Sequence, residues 1–189
     1  MFSRARARPG GVSFFIGGMN MIDLEHMDTT RRLTLSGMIM ALYVAVMCLT
    51  QSFAFGQYQV RVATSLYAAA YFCPFLTVPL GLSNLISNMV MGGLGFFDIF
   101  GGGLIGVLTA GSCALIRRLN LPCWLTAVPI ALIPAFGVSL WLSGILGVPY
   151  WTLAASLLVG QTIAGVLAAA LTAALSRVIR PAAKEAQHV

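Results

Sequence analysis

Residues 75–116 read FLTVPLGLSNLISNMVMGGLGFFDIFGGGLIGVLTAGSCALI, and Asp98 is the one charged residue among them. Extending this stretch back to Leu33 adds a single further charge, Arg61. A charged side chain near a bilayer midplane costs roughly 2.5–3.5 kcal/mol, so such residues persist mostly where they are paired, face water or bind a ligand. The first question that the sequence raises is therefore whether Arg61 and Asp98 meet.

Composition determines the class of protein. The chain has 189 residues, of which 59% are hydrophobic and 8% charged, and its mean hydropathy is +0.90. Soluble domains have a charged fraction of about 25%. We predict an all-α integral membrane protein with about six transmembrane helices of about 20 residues each, a length that leaves no room for a soluble catalytic domain.

Polar residues divide the chain into six apolar segments. Pro74 separates the second from the third, and we expect a tight turn there, although a broken helix is the alternative. The predicted domains are a disordered cytoplasmic tail over 1–30, a six-helix transmembrane domain over 31–180 and a second cytoplasmic tail over 181–189. The segments are 33–55, 62–73, 75–91, 99–116, 123–146 and 150–178.

Basic residues predict the orientation, because loops rich in Lys and Arg stay on the cytoplasmic side. With six spans, all three basic clusters are cytoplasmic, and the loops 51–61 and 92–98 are on the outer side. Arg61 and Asp98 are therefore expected at the same membrane face. The basic residues are Arg31 and Arg32, Arg117 and Arg118, and Arg177, Arg180 and Lys184.

Several chemistries are excluded by residue type. The histidines, His26 and His188, are both in the predicted tails, so no Ser–His or Cys–His dyad is expected within the membrane. Lys184 is the sole lysine, which excludes a phosphate-binding GxxxxGK[ST] loop. The chain is predicted not to be an enzyme and not to hydrolyse ATP itself.

No cofactor, metal or nucleic acid is expected as a partner. The four cysteines occur singly, and soft-metal sites need several ligands that converge. The net charge of +6 comes from basic residues at segment ends, with no patch of interleaved aromatic residues that would indicate nucleic-acid binding. The cysteines are Cys48, Cys73, Cys113 and Cys123.

Polar side chains gather near the outer face. Asn84 and Asn88 are four residues apart, so they share one face of a helix. Buried amides without partners cost roughly 1–3 kcal/mol each, so these groups either pair across helices or face a ligand. We predict a binding pocket, with helix packing as the alternative, formed by Gln57, Tyr58, Gln59, Arg61, Asn84, Asn88 and Asp98.

Small residues mark two helix faces. Ala41 and Ala45 form a small-xxx-small ridge on the first span, which we predict to dock a partner membrane protein, with packing inside the chain as the alternative. Gly102 and Gly106 have the same spacing in the fourth span. Close helix approach explains them best, and a smooth pocket wall for a flat ligand is the alternative.

The sequence resembles the QueT family, substrate-binding S components of energy-coupling-factor importers for queuosine precursors. The specific matches are GQYQVR at 56–61 and GFFDIFG at 95–101, within a similarity that covers about 31–179. The resemblance implies a multi-pass protein of the bacterial plasma membrane with six helices and both termini cytoplasmic. It also implies an outward-facing pocket and a first helix that contacts a transmembrane coupling protein driven by two ATPase subunits.

The resemblance implies a 7-deazapurine as the solute, although another small vitamin-like solute would suit the same groups. Asp98 would accept hydrogen bonds from the ring N–H and the exocyclic amine, and Tyr58 or Tyr67 would stack on the ring. Two other classes remain open. They are a stand-alone secondary transporter coupled through Asp98, and a non-transporting scaffold in which Arg61 and Asp98 form a structural ion pair.

Overall fold

A computed structural model describes residues 27–54, 59–91 and 94–179, and this part of the chain is helical with short connections and no strand. Three segments are 3₁₀ helices: Val62–Ala68, Pro74–Leu76 and Cys123–Thr126. The α-helices are α1 (Thr29–Leu49), α2 (Gln51–Ala54), α3 (Ala69–Phe72), α4 (Thr77–Val90), α5 (Phe96–Arg118), α6 (Ala127–Leu146) and α7 (Tyr150–Ile179).

Four helical segments of the described chain are long and apolar enough to cross a membrane, which supports the predicted all-helical, multi-pass class. The count of six spans is not confirmed. The second predicted segment is helical over Val62–Phe72 and reaches about 20 Å, against a hydrocarbon core of about 30 Å. The four candidate spans are Thr29–Leu49, Phe96–Arg118, Cys123–Leu146 and Tyr150–Arg177.

The chain reverses direction at Cys73 and Pro74. Cys73 leaves the helical conformation at φ −127° and ψ 85°, as expected of a residue that precedes proline. Arg61, at the start of the second segment, contacts Asn84 and Asn88 near the end of α4. The two segments therefore run back beside one another, as the interpretation of a tight turn predicts.

Basic side chains gather at the end of the bundle where this reversal lies. The Arg117 guanidinium donates to the backbone carbonyls of Tyr71 and Phe72, and Arg32 lies 5.6 Å from the ring centre of Phe75. Asp98 and Arg117 lie about 28 Å apart along α5, by the rise of an α-helix. The structure therefore agrees with the sequence prediction for these residues. Arg32 and Arg117 lie at one end of the bundle, and Arg61 and Asp98 lie at the other.

Helices α4 and α5 approach closely because glycines face each other across the contact. A Cβ at Gly81 would lie 2.2 Å from the Val107 side chain and 2.9 Å from the Gly103 carbonyl oxygen. A Cβ at Gly106 would lie 2.8 Å from the Tyr67 hydroxyl. Close helix approach, the first explanation of the Gly102-xxx-Gly106 spacing, therefore fits the structure at Gly106.

Candidate functional site

Arg61 is the charged centre of a polar cluster at the end opposite the basic residues. Its side chain is 4% exposed, and Nη1 donates to Asn84 Oδ1 at 3.3 Å and to Asn88 Oδ1 at 3.4 Å. Asn84 and Asn88 share one face of α4, as predicted, and both amide oxygens therefore reach the Arg61 guanidinium. Burying a charge is costly unless hydrogen bonds compensate it, and the two amides supply such bonds here.

The nitrogen ends of the same two amides tie Arg61 to helix α5. Asn84 Nδ2 donates to the Gly102 carbonyl at 2.7 Å, and Asn88 Nδ2 donates to the Asp98 carbonyl at 3.1 Å. A Cβ at Gly102 would lie 2.4 Å from Asn88 Nδ2, so a side chain there would displace the amide. Asn88 thus links Arg61 to Asp98, the two charged residues that the sequence predicts at one membrane face.

The Asp98 carboxylate ties the start of α5 to helix α6. It is 3% exposed, and it accepts from the Leu94 N–H at 3.2 Å and from Trp141 Nε1 at 3.4 Å. A carboxylate in the first turn of a helix is also stabilised by the helix dipole. These contacts give Asp98 a positioning role, and its predicted direct contact with a solute stays a prediction.

A small cavity lies beside this cluster, with a volume of about 10 Å³, which is room for about one water molecule in this conformation. Three predicted site residues line it: Gln59, Arg61 and Asn84. Asn88 and Asp98 lie behind Arg61, outside the lining, while Gln57 and Tyr58 lie outside the described residues. The full lining is Gln59, Arg61, Thr64, Tyr67, Asn84, Ile105, Pro134, Val138, Leu157 and Gln161.

Two polar residues of the lining were not among the predicted site residues. Thr64 and Gln161 are each 2% exposed, and Thr64 Oγ1 lies 3.1 Å from Gln161 Oε1. Gln161 is the one amide side chain in the 30 residues of α7. A single amide in a long apolar helix is the sequence feature that could have marked it as a site residue. Its partner is 97 residues away in sequence, so spacing alone does not reveal the pair.

Tyr67 connects the cavity to helix α1. Its hydroxyl lies 3.1 Å from that of Tyr43, and the two rings stack with centroids 5.6 Å apart. Both side chains are fully buried. The inner face of α1 therefore contacts a residue of the cavity wall directly.

The outer face of α1 carries the predicted docking ridge. Ala41 and Ala45 are exposed, as is Gly37 one turn earlier, where an added Cβ would meet nothing within 4 Å. The ridge is thus not used for packing within the described chain. The docking role of Ala41 and Ala45 stays a prediction.

Comparison with known families now identifies the chain. The sequence model of the QueT transporter family matches residues 33–177. The chain belongs to this family. The match confirms the resemblance and implies a transporter rather than an enzyme. Comparisons with curated proteins and with solved structures give no match.

Proposed function

We propose that this protein is the substrate-binding subunit, or S component, of an energy-coupling-factor importer. It captures a small vitamin-like solute from the outer side of the bacterial plasma membrane, and a 7-deazapurine precursor of queuosine is the first candidate. Membership of the QueT transporter family supports the transport class. The solute, the partners and the orientation with both termini cytoplasmic are parts of the proposal.

The observation that carries the proposal is the polar cavity around Arg61. Apolar walls contributed by Ile105, Pro134, Val138 and Leu157 surround a small set of convergent polar groups. This combination of apolar walls and few polar groups is typical of sites for small molecules. The positive-inside rule favours an orientation in which the cavity end of the bundle is on the outer side, where a solute would arrive.

The proposed site has a wall and a support behind it. Gln59, Arg61 and Asn84 form part of the cavity wall. Gln57 and Tyr58 come directly before Gln59 in sequence. Asn88 and Asp98 form the support that holds Arg61 and the start of α5 in place. We propose that all seven contribute to solute affinity.

Energy for transport would come from a partner, because the sequence has no phosphate-binding loop. We propose that the Ala41/Ala45 ridge docks on a transmembrane coupling protein that is driven by two ATPase subunits. Small residues allow helix backbones to approach closely in lipid, where no hydrophobic force drives association. The exposure of both alanines leaves the ridge available for such a contact.

The test is substitution of the ridge. Ala41→Trp and Ala45→Trp should abolish ATP-dependent uptake and co-purification of the coupling protein while leaving solute binding by the isolated subunit nearly intact. Ala155→Trp is the matched control, since Ala155 is also exposed but lies on α7. Normal uptake by the Ala41 and Ala45 variants would refute the docking role.

Uptake and solute-binding assays on the purified protein also test the two other classes, a secondary transporter and a non-transporting scaffold. Uptake by the protein alone, driven by a proton gradient, would indicate a secondary transporter instead. Absence of any bound solute under all conditions would favour a scaffold.

A further inference from the structure

We propose that the second half of α6, residues 135–146, is a gate to the cavity, with Pro134 as its hinge and Trp141 as the residue that holds it closed. The interpretation of the opened gate as the entry route of a solute rests on the proposed function. The movement itself is argued from the size of the cavity and from the contacts of α6.

The described conformation of the cavity is closed to organic solutes. The cavity has a volume of about 10 Å³, which is room for about one water molecule. Any ring compound is much larger than a water molecule, so part of the wall must move before such a solute can enter. The wall consists of residues from the second segment and from helices α4, α5, α6 and α7, together with Gln59.

The walls formed by α4, α5 and the second segment are tied together by buried polar groups. Asn84 and Asn88 of α4 donate to carbonyls of α5 and accept from Arg61 of the second segment. Gly81 also lies directly against the Gly103 carbonyl. Separating these walls would leave buried amides without partners, which is costly within a membrane. A movable wall is therefore expected elsewhere.

Helix α6 is weakened at the point where it lines the cavity. Pro134 lies inside this helix and lines the cavity together with Val138, one turn later. Proline has no N–H, so residue 134 cannot donate the usual helix hydrogen bond to the Ile130 carbonyl. Helices bend most readily at such positions. Because both lining residues of α6 are apolar, tilting residues 135–146 outward takes no hydrogen bond from the cavity wall.

Trp141 holds the gate against α5. Its Nε1 donates to Asp98 Oδ1 at 3.4 Å, which is long compared with the usual range of roughly 2.7–3.2 Å. Its ring lies over Gly101, where an added Cβ would be 2.9 Å from two ring carbons. Gly137 in turn lies against the side chain of Ile105, which lines the cavity. All of these contacts lie beyond the hinge, so they close the cavity only while the gate stays against α5.

The contacts of the gate with α7 do not prevent its movement. The gate packs on α7 in an apolar cluster that includes Leu142 and Leu153. Packed apolar helices can slide without leaving a polar group unpaired. The Tyr150 hydroxyl donates to the Phe136 carbonyl at an exposed position, where water can replace it.

The test measures exposure of the cavity wall in the absence of a solute. Val138→Cys places a thiol on the gate, and Ile130→Cys places one on the same helix one turn before the hinge; both side chains are buried. The probe is methyl methanethiosulfonate, a small neutral thiol reagent, and intact-mass spectrometry follows its reaction with the full-length protein in nanodiscs. The background carries Cys48→Ala and Cys123→Ala, because these two native cysteines are not buried.

Trp141→Phe should raise the labelling rate of the Val138→Cys thiol about tenfold, because it removes a hydrogen bond to a carboxylate that only the closed gate makes. The Ile130→Cys thiol should react equally slowly with and without this substitution. Trp151→Phe is the matched control, since Trp151 is exposed at the start of α7, and it should change neither rate.

Pro134→Ala should lower the labelling rate of the Val138→Cys thiol about threefold or more, because alanine supplies the missing N–H and opening must then break one more hydrogen bond. Pro129→Ala is its matched control in the first turn of the same helix and should leave the rate unchanged. This pair keeps the test decisive if the Trp141 variant does not fold.

An unchanged labelling rate of Val138→Cys in the Trp141→Phe protein would overturn the gate. An equal rise at Ile130→Cys would also overturn it, because the whole bundle would then have loosened. An unchanged or higher rate with Pro134→Ala would overturn the hinge. The labelling rates need no solute, so these results leave the proposed function standing, whereas a protein that opens as described but binds no solute would refute the proposed function alone.

Discussion

Gly102→Ala tests the packing that holds Arg61 in place. The added Cβ would lie 2.4 Å from Asn88 Nδ2 and 3.6 Å from Asn84 Nδ2. The first distance is too short for any real contact, so Asn88 must move. Its movement breaks the bond to the Asp98 carbonyl and weakens the bond from Arg61.

The cost follows from these contacts. Overpacking a tight site costs about 1–3 kcal/mol, and each lost hydrogen bond about 1 kcal/mol. The matched control is Gly144→Ala, also in a helix, where an added Cβ would meet nothing within 4 Å. Both substitutions gain the same helix propensity, so Gly102→Ala should be less stable than Gly144→Ala by roughly 2–4 kcal/mol.

The assay is thermal unfolding in a mild detergent, followed by solute binding at a temperature where both variants are folded. Gly102→Ala should have a melting temperature several degrees below that of Gly144→Ala and should bind the solute more weakly. Equal stability and equal binding of the two variants would refute the contact between the Asn88 amide and α5.

Two further predictions concern topology and the charged pair. Single cysteines placed at Gln57 or Gly93, in a background without the native cysteines, should react with impermeant thiol reagents from outside, whereas labelling near Arg117 would show that the orientation is wrong. Asp98→Asn should weaken solute binding by roughly 30-fold or more, because removing a charged partner from a desolvated network costs about 2–5 kcal/mol, and Arg61→Gln should mainly raise the release rate. The solute affinity and the melting temperature of the double variant Asp98→Asn, Arg61→Gln should both stay low. Full recovery of both quantities would show that Arg61 and Asp98 form only a structural ion pair.

Local sequence signals predicted much of the bundle. Pro74 predicted the reversal of the chain, because proline disfavours a helical conformation in the residue before it, and the Cys73 backbone is not helical. The spacing of Asn84 and Asn88 predicted their shared face, which meets Arg61. These features depend on neighbouring residues, so a periodic pattern is enough to find them.

Other features depend on contacts that spacing does not encode. The segment Val62–Ala68 is a 3₁₀ helix, which hydropathy does not distinguish from an α-helix, and this short segment is one reason that six spans are not confirmed. Gln161 reaches Thr64 only through the packing of α7 on the second segment. The sequence placed Asp98 either in a solute pocket or in an ion pair with Arg61, and it does not reveal that Trp141, 43 residues away, donates to one of the carboxylate oxygens.

Native mass spectrometry of the gently solubilised protein tests the central claim most directly, because a retained solute appears as a mass added to the subunit. The comparison is between the wild type, Gln161→Leu and Thr162→Leu, the last being a matched control at the exposed neighbouring position on α7. The wild type and Thr162→Leu should retain the same small molecule, and Gln161→Leu should lose it. A molecule retained equally by all three proteins, or by none, would contradict a solute site in the cavity between Arg61 and Gln161.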